Sequence, residues 1–377
     1  MPLLVKGWSI LTDDSASIDA VINRADEFEI NHLQLSHHII MDLRQVKEPE
    51  KEKQINHLLE KAHQSGIGEL VVWDHALYPL DYYPEEFKTG PEGTIDLDNP
   101  VFWTWFKQDY RDMIALIPQV DGLILTFIET GARAERQYSR SLKSEAEKLA
   151  LVINSVADVV VGELDKKLYI RTFSYSDSEY DAIIGCIEHL KYDEIILMMK
   201  ETPHDFFLTH PNDKYAGTID RPTIIEFDIG NEFNGQGVIA NTWPEYVLKR
   251  WGDFVARKNI IGYVARTDRN GTTSVIDKPS EILLYALQQY SNDTTVAADK
   301  VYDDFITLEY GSEALPYLKP AFKSAFDIVT SSLYTLGTNT ANHSSLDFDP
   351  YPSSYARHVS GKWIDPPLVY VKRKYLN

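Results

Sequence analysis

Residues 223–232 read Thr-Ile-Ile-Glu-Phe-Asp-Ile-Gly-Asn-Glu, a short β-rich run that ends in charged and polar residues. The run predicts a strand, because β-branched and aromatic residues are favoured there. Seven similar runs occur along the chain: Leu3–Val5, His32–Leu35, Glu69–Trp73, Gly122–Phe127, Lys167–Arg171, Glu194–Met199 and Ile260–Ala265. Most of the segments between them carry apolar residues three and four positions apart, which is the spacing of an amphipathic helix.

Eight strands that alternate with helices predict an α/β fold, the (β/α)8 TIM barrel, and the stretch they occupy is close to the usual barrel length of about 250 residues. An open doubly wound sheet is the alternative, but it usually has a glycine-rich phosphate loop after its first strand. Residues 6–10 read Lys-Gly-Trp-Ser-Ile and do not form such a loop. After residue 278 helical patterns replace the alternation, so we predict a catalytic barrel over 1–278 and a short C-terminal helical appendage with an irregular tail over 279–377.

The charge balance of the chain bears on its partners. Lys and Arg number 37 against 57 Asp and Glu, which gives a formal net charge of −20. Such a chain repels a phosphate backbone, so nucleic acid is not expected as a partner. No apolar run reaches the 18 or so residues of a membrane span, and we expect a soluble protein, either cytoplasmic or exported after signal removal. The single Cys186 is predicted to be a buried apolar residue, and the oligomeric state stays open.

Polar residues follow the predicted strands at the end where TIM barrels place their active sites. Three carboxylates, Glu129, Asp205 and Glu232, could supply the acid and base of glycoside hydrolysis. The predicted substrate-binding residues at these strand ends are Trp73, Asp74, His75, Arg171, Tyr175, Lys200, Arg266 and Asp268. The arginines suit a two-point contact with a carboxylate, and aromatic rings suit stacking on sugars. Salt bridges between the loops of an acidic protein are the alternative explanation.

Histidines also follow several strands, and together with neighbouring carboxylates they are candidate metal ligands. The histidines concerned are His37, His38, His75, His204 and His210. Their spacing gives little support for a metal site, and no His-x-His motif follows the first strand. We therefore expect neither a metal nor another cofactor.

Several motifs occur in a fixed order. Residues 167–175 contain an Arg-x-Phe-x-Tyr pattern, residues 199–206 are similar to Lys-x-Gly-Pro-x-Asp-Phe, and residues 225–236 are similar to Glu-x5-Glu-Tyr-x-Gly-Gln. Glu129 and Gly131 match a Ser-Glu-Gly motif with a slip of one residue. On these motifs residues 96–278 resemble the barrel of the family 67 α-glucuronidases, which remove glucuronic acid or its 4-O-methyl ether from xylan-derived oligosaccharides. Members of that family are longer than this chain.

The resemblance implies roles for the matching residues. Glu129 corresponds to the general acid, and Asp205 and Glu232 correspond to the carboxylates that activate the attacking water. Arg171 and Lys200 match positions near the uronate. The family inverts the configuration at the anomeric carbon, which requires room for a water between the carboxyl groups.

We therefore expect a glycoside hydrolase that removes a uronic acid from an acidic oligosaccharide or polysaccharide fragment, with carbohydrate as its partner. An exo-acting hydrolase or a lyase of different sugar specificity on the same barrel is an alternative. A carbohydrate-binding protein without catalysis is another, and the three carboxylates at matching positions argue against it.

Overall fold

The computed structural model describes residues 3–174, 177–203, 205–235, 239–269, 271–335 and 338–339. In these residues eight strands form a closed barrel in which neighbours along the chain are neighbours in the sheet. The strands are β1 Val5–Ile10, β2 His32–Leu35, β3 Glu69–His75, β4 Gly122–Thr126, β5 Lys167–Arg171, β6 Ile196–Lys200, β7 Thr223–Phe227 and β8 Ile260–Arg266. The predicted (β/α)8 barrel is confirmed.

Helices separate most of the strands. They are α1 Ser15–Arg24, α2 Pro49–Gln64, α3 Pro100–Leu116, α4 Glu145–Val160, α5 Asp177–Cys186, α6 Pro244–Val255, α7 Ile282–Asn292, α8 Ala298–Tyr310 and α9 Leu315–Leu333. Among the described residues no α-helix lies between β6 and β7. None of the helices in the described part of the chain is both long and apolar enough to cross a bilayer.

Helices also follow the barrel, as predicted. After α9 a short antiparallel pair follows, β9 Tyr334–Thr335 with β10 Thr338–Asn339. The tail predicted to be irregular lies outside the described residues from 340 onward. The predicted boundary at residue 278 stays a prediction. Cys186 is buried, and burial raises the pKa of its thiol to about 12.

Local sequence signals explain where individual helices begin. At the start of α4 the Ser144 hydroxyl accepts a hydrogen bond from the Glu147 amide, and the Glu147 carboxylate accepts one from the Ser144 amide. This capping box satisfies amide groups that lack a partner in the first helical turn. The apolar residues of α4 recur at helical spacing and are buried, so one helix face packs into the core.

The chain divides into two compact units. The first unit comprises residues 1–30, 200–219 and 225–377, and the second comprises residues 31–199 and 220–224. The first contains β1, β8 and the end of β7, and the second contains β2 to β5 and most of β6.

The first strand differs from its predicted position at Leu3–Val5. It begins at Val5 and continues to Ile10, and it pairs with β8 so that Ser9 lies beside Arg266. Gly7 and Ser9 interrupt the apolar run, which is why the sequence pattern ended the strand too early. Trp8 lies on the opposite face and packs against Phe28 with ring centres 5.2 Å apart.

Three other strands extend beyond their predicted C-terminal ends. β3 ends at His75 rather than Trp73, β6 at Lys200 rather than Met199, and β8 at Arg266 rather than Ala265. The polar residues at these positions belong to the strands themselves, so the alternation of the strand determines which way each side chain points.

Candidate active site

In the first unit Glu232 is held by two arginines. The Arg266 Nη1 atom lies 2.9 Å from Glu232 Oε2, and the Arg269 Nη2 atom lies 3.0 Å from Glu232 Oε1. Arg266 also donates from Nε to Glu226 Oε1 at 2.8 Å. Arg266, Glu226 and Glu232 are all buried. We call Glu226, Glu232, Arg266 and Arg269 the carboxylate–arginine cluster, and it fixes the orientation of the Glu232 carboxylate.

The loop after β7 makes this arrangement possible. A side chain at Gly230 would collide with the carbonyl oxygen of Asp268, so only glycine allows the loop to approach β8 this closely. Asn231 has φ of 65°, a left-handed conformation that asparagine tolerates better than most residues. The Glu232 amide then donates to Asp228 Oδ2 at 2.7 Å. The turn thereby returns Glu232 toward the end of β8.

Asp228 is a second carboxyl group beside this cluster, and the sequence analysis did not single it out. Burial raises its pKa to about 7, and the carboxylates of Glu232 and Glu201 act in the same direction, while Arg266 opposes them. Its Oδ1 atom is buried and has no hydrogen-bond partner among the described residues. Asp228 can therefore carry a proton near neutral pH. Its place four residues before Glu232 was visible in the sequence, but its burial was not.

Lys200 and Asp205 form a buried ion pair in the same unit, with Lys200 Nζ 2.6 Å from Asp205 Oδ1. The ring of Phe206 lies under both of the neighbouring cations. Its centre is 4.3 Å from Lys200 Nζ and 4.8 Å from the guanidinium carbon of Arg266. Asp205 binds Lys200, Glu232 binds Arg266, and both cations contact the Phe206 ring. The structure therefore places the two carboxylates near the same aromatic ring.

Asp268 has a different environment from the one predicted. Its carboxylate accepts hydrogen bonds from the amides of Leu11 at 3.1 Å and Thr12 at 2.7 Å, and from the Thr267 hydroxyl at 3.1 Å. The residue is fully buried, and burial raises its pKa to about 6. This placement favours a structural link between the ends of β8 and β1 over the predicted contact with substrate.

In the second unit Asp74 is also fully buried and hydrogen-bonded. It accepts from the Leu43 amide at 2.9 Å, the Tyr78 hydroxyl at 3.1 Å and the Tyr110 hydroxyl at 2.5 Å. Burial raises the pKa of Asp74 to about 6, and these hydrogen bonds counteract the shift. Because Tyr110 belongs to α3, Asp74 lies on the helix side of β3. Its contacts favour a structural role.

Trp73, His75 and Arg171 lie together in the second unit. The Arg171 guanidinium carbon is 4.8 Å from the Trp73 ring centre and 5.2 Å from that of Phe173. The His75 ring hydrogen-bonds through Nδ1 to the Met41 carbonyl, and burial lowers the pKa of His75. The Glu129 carboxylate raises that pKa and Arg171 lowers it, so both charges lie within electrostatic reach of the ring.

Glu129 itself is exposed. The loop that carries it is anchored two residues later, because a side chain at Gly131 would collide with Pro79. Close packing against Pro79 therefore explains why the sequence motif has a glycine at Gly131. Two residues considered above, Tyr175 and His204, lie outside the described residues. Within the described ranges no three His, Cys, Asp or Glu residues form a group that could hold a metal.

Another residue near the first unit's loops was missed by sequence reasoning. Tyr334, at the start of β9, donates its hydroxyl to Asn234 Oδ1 at 2.8 Å and accepts from the Leu208 amide at 3.0 Å. The C-terminal segment thus supports the loops that follow β6 and β7. Its distance along the chain, far beyond the strand ends, left no sequence signal for this contact.

Comparison with known proteins supports the barrel fold. No protein-family model and no curated protein matches the sequence. Among solved structures the chain is similar to a glycoside hydrolase family 138 enzyme that targets the pectin rhamnogalacturonan II, with TM-score 0.63, 13% identity and 92% of this chain covered. It is also similar to the family 84 proteins CpGH84B and CpGH84D, with TM-scores 0.54 and 0.50, 12% identity in each case, and 84% and 83% of this chain covered.

The likeness shows the fold. At 12 to 13% identity it carries no residue roles from those proteins to this chain. The chain spans about half the length of the three structures, at 46%, 54% and 49%. The resemblance to family 67 therefore stays a prediction, whereas the (β/α)8 barrel fold is established.

Proposed function

We propose that this chain is a glycoside hydrolase that removes a uronic acid from an acidic oligosaccharide or polysaccharide fragment with inversion of configuration. The observation that carries the proposal is the pair of buried carboxylates, Asp205 and Glu232, each fixed by cations around Phe206. Both follow the C-terminal ends of barrel strands, where barrel enzymes perform their chemistry. The similar structures come from families of glycoside hydrolases, which supports the same reaction class.

In an inverting hydrolysis one carboxylate removes a proton from water as the water attacks the anomeric carbon. Asp205 and Glu232 are the proposed groups for this step. Lys200 holds one oxygen of Asp205, and the two arginines hold Glu232, so neither carboxylate must reorient during the reaction. Glu129 is the proposed acid that protonates the departing oxygen, a role that rests on the motif resemblance.

The preference for a uronic acid rests on cations buried in an acidic protein. Arg171 is almost fully buried and stacks on Trp73, and the planar shape of its guanidinium suits a carboxylate. A cation beside the uronate offsets the cost of removing that carboxylate from water. Arg266 already contacts Glu226 and Glu232, and Lys200 contacts Asp205, so we assign these two cations to positioning the carboxylates. We assign the uronate to Arg171.

The experiment compares hydrolysis of two matched oligosaccharides, one carrying α-linked glucuronic acid and the other α-linked glucose. Arg171→Met should lower kcat/KM for the glucuronide at least about tenfold more than for the glucoside, because a charge-assisted hydrogen bond is worth about 1.5–3 kcal/mol. Arg111→Met is the matched control, since Arg111 is a surface residue that pairs with Glu163.

Equal losses on both substrates by a folded Arg171→Met protein would contradict the assignment of the uronate to Arg171. Arg171→Lys provides a second variant that keeps the charge and removes the planar two-point contact. It should retain part of the preference for the glucuronide.

A further inference from the structure

Two buried polar atoms in the second unit have no hydrogen-bond partner among the described residues. They are Nε2 of His75 and Oγ1 of Thr126. Both residues are at most 4% exposed. They end β3 and β4, and they are direct partners in the parallel register of these two strands. A pair of buried polar groups without partners at adjacent strand ends requires an explanation, because each destabilises the fold when it is left without a hydrogen bond.

The two side chains share one side of the sheet. Asp74 faces α3, since it contacts Tyr110, and side chains alternate along a strand. His75 therefore points away from α3, to the barrel side of β3. Thr126 is its register partner and points the same way. This is also the side of Trp73, on which Arg171 stacks.

The hydrogen-bonding character of His75 follows from its other nitrogen. The Met41 carbonyl can only accept a hydrogen bond, so Nδ1 must carry the proton. In the neutral ring Nε2 then presents a lone pair. Thr126 Oγ1 can both donate and accept. Together the two atoms offer one acceptor and one donor, which matches a hydroxyl group and repels a carboxylate at Nε2.

We propose that His75 and Thr126 form a subsite that binds a sugar hydroxyl, with Nε2 accepting a hydrogen bond from it and Oγ1 donating one to the same or the adjacent hydroxyl. The inference deepens the proposed function and rests on it for the ligand class. It divides the recognition of the ligand in two, with the uronate at Arg171 and a ring hydroxyl at His75 and Thr126. Thr126 thereby becomes a specificity-determining residue that sequence analysis did not identify.

Such a subsite selects strongly against sugars that lack the hydroxyl. A site built to hydrogen-bond a hydroxyl rejects the deoxy analogue, because the buried polar groups of the protein are left unpaired again. Removing the protein group and removing the ligand hydroxyl should therefore have overlapping rather than additive effects on affinity.

The test is calorimetric titration with methyl α-glucuronide, methyl α-glucoside and the monodeoxy analogues of each. Thr126→Val keeps the shape of the side chain and removes its hydroxyl. It should weaken binding of both parent glycosides about tenfold and leave unchanged the binding of the one deoxy analogue that lacks the contacted hydroxyl. Thr223→Val is the matched control: it is also a buried strand threonine, but its hydroxyl binds the Arg221 carbonyl.

Equal weakening of every analogue, or unchanged affinity for all of them in both Thr126→Val and His75→Phe, would overturn the subsite. If the neutral glucoside binds as tightly as the glucuronide and the Thr126 effect persists, the uronate proposal fails while the subsite stands. A readout without sugar is the ¹⁵N spectrum of the imidazole of His75 in the full chain. It should show the proton on Nδ1, and a proton on Nε2 would overturn the inference independently of the hydrolase proposal.

Discussion

The guanidinium of Arg266 lies between two carboxylates, 2.8 Å from Glu226 Oε1 and 2.9 Å from Glu232 Oε2. Glu226 belongs to β7 and Arg266 ends β8, so both are part of the barrel wall, whereas Glu232 belongs to the loop after β7. Arg266 therefore couples the position of the proposed catalytic carboxylate to the rigid part of the fold. The three side chains are also buried, so the folded protein is stable only if the positive charge of Arg266 offsets the negative charges of the two carboxylates.

Arg266→Met should destabilise the protein strongly. It leaves Glu226 fully buried without its cation, and breaking a buried ion pair by removing one partner costs about 3–5 kcal/mol. The free energy of unfolding from urea denaturation measures the loss. Arg111→Met, which breaks the surface pair with Glu163, should cost only about 0–1 kcal/mol.

The double variant Arg266→Met with Glu226→Gln separates stability from positioning. It should recover part of the lost stability because the unpaired charge is gone, but it should not recover activity because Glu232 still lacks its partner. An Arg266→Met protein within about 1 kcal/mol of the parent would contradict the coupling.

Glu129→Gln should lower activity on natural glycosides by about 10²–10⁴-fold, because general acid catalysis of a poor leaving group contributes that much. An aryl glycoside with a good leaving group should be affected much less. Initial rates on the two substrate types measure the difference. Glu85→Gln, at an exposed loop position, is the control and should leave both rates unchanged. Equal losses on both substrates would assign Glu129 to binding or structure instead.

The raised pKa of Asp74 predicts that the free energy of unfolding depends on pH. Its pKa in the folded protein, about 6, exceeds the ordinary value of 3.8, so the folded state binds the proton more tightly than the unfolded state does. The stabilisation that Asp74 contributes, about 3 kcal/mol, is fully present below pH 3.8. It is lost as the pH rises through the folded-state pKa of about 6. Asp74→Asn should remove this slope in urea denaturation measured between pH 4 and about 7.

Asp98 provides a control of opposite sign. The hydrogen bond from the Ser141 hydroxyl is the main cause that lowers the pKa of Asp98 to about 2. The stabilisation that Asp98 contributes is therefore present above pH 3.8 and is lost as the pH falls toward 2. Asp98→Asn should leave the slope above pH 4 unchanged. A slope between pH 4 and about 7 that is the same in Asp74→Asn and in the parent would contradict the buried, proton-holding state of Asp74.

The sequence predicted the barrel because its strands are short, apolar and separated by helical patterns. The position of β1 was predicted wrongly because Gly7 and Ser9 interrupt its apolar run. The sequence predicted Lys200 as a substrate-binding residue and Asp205 as a catalytic one, but it did not predict that the two form an ion pair with each other. The face of the sheet to which each side chain points could not be predicted, since a shift of one residue in a strand reverses the direction of every side chain.

This limit explains the residues whose environment differs from the expectation. Asp74 and Asp268 follow or end apolar runs as the proposed site residues do, yet both bind protein groups. Thr126 is neutral and ends an apolar strand, so nothing in the sequence distinguished it. Asp228 was visible as a carboxylate, but its raised pKa arises from burial, which depends on the packing of the whole loop.

The most direct test of the account is proton NMR of the first sugar released from an oligosaccharide that carries α-linked glucuronic acid. β-Glucuronic acid should appear before mutarotation, and the folded double variant Asp205→Asn with Glu232→Gln should release none. Release of α-glucuronic acid first would show a double displacement through a covalent intermediate. Substantial hydrolysis by the double variant would show that the base lies elsewhere, and either result would contradict the central claim.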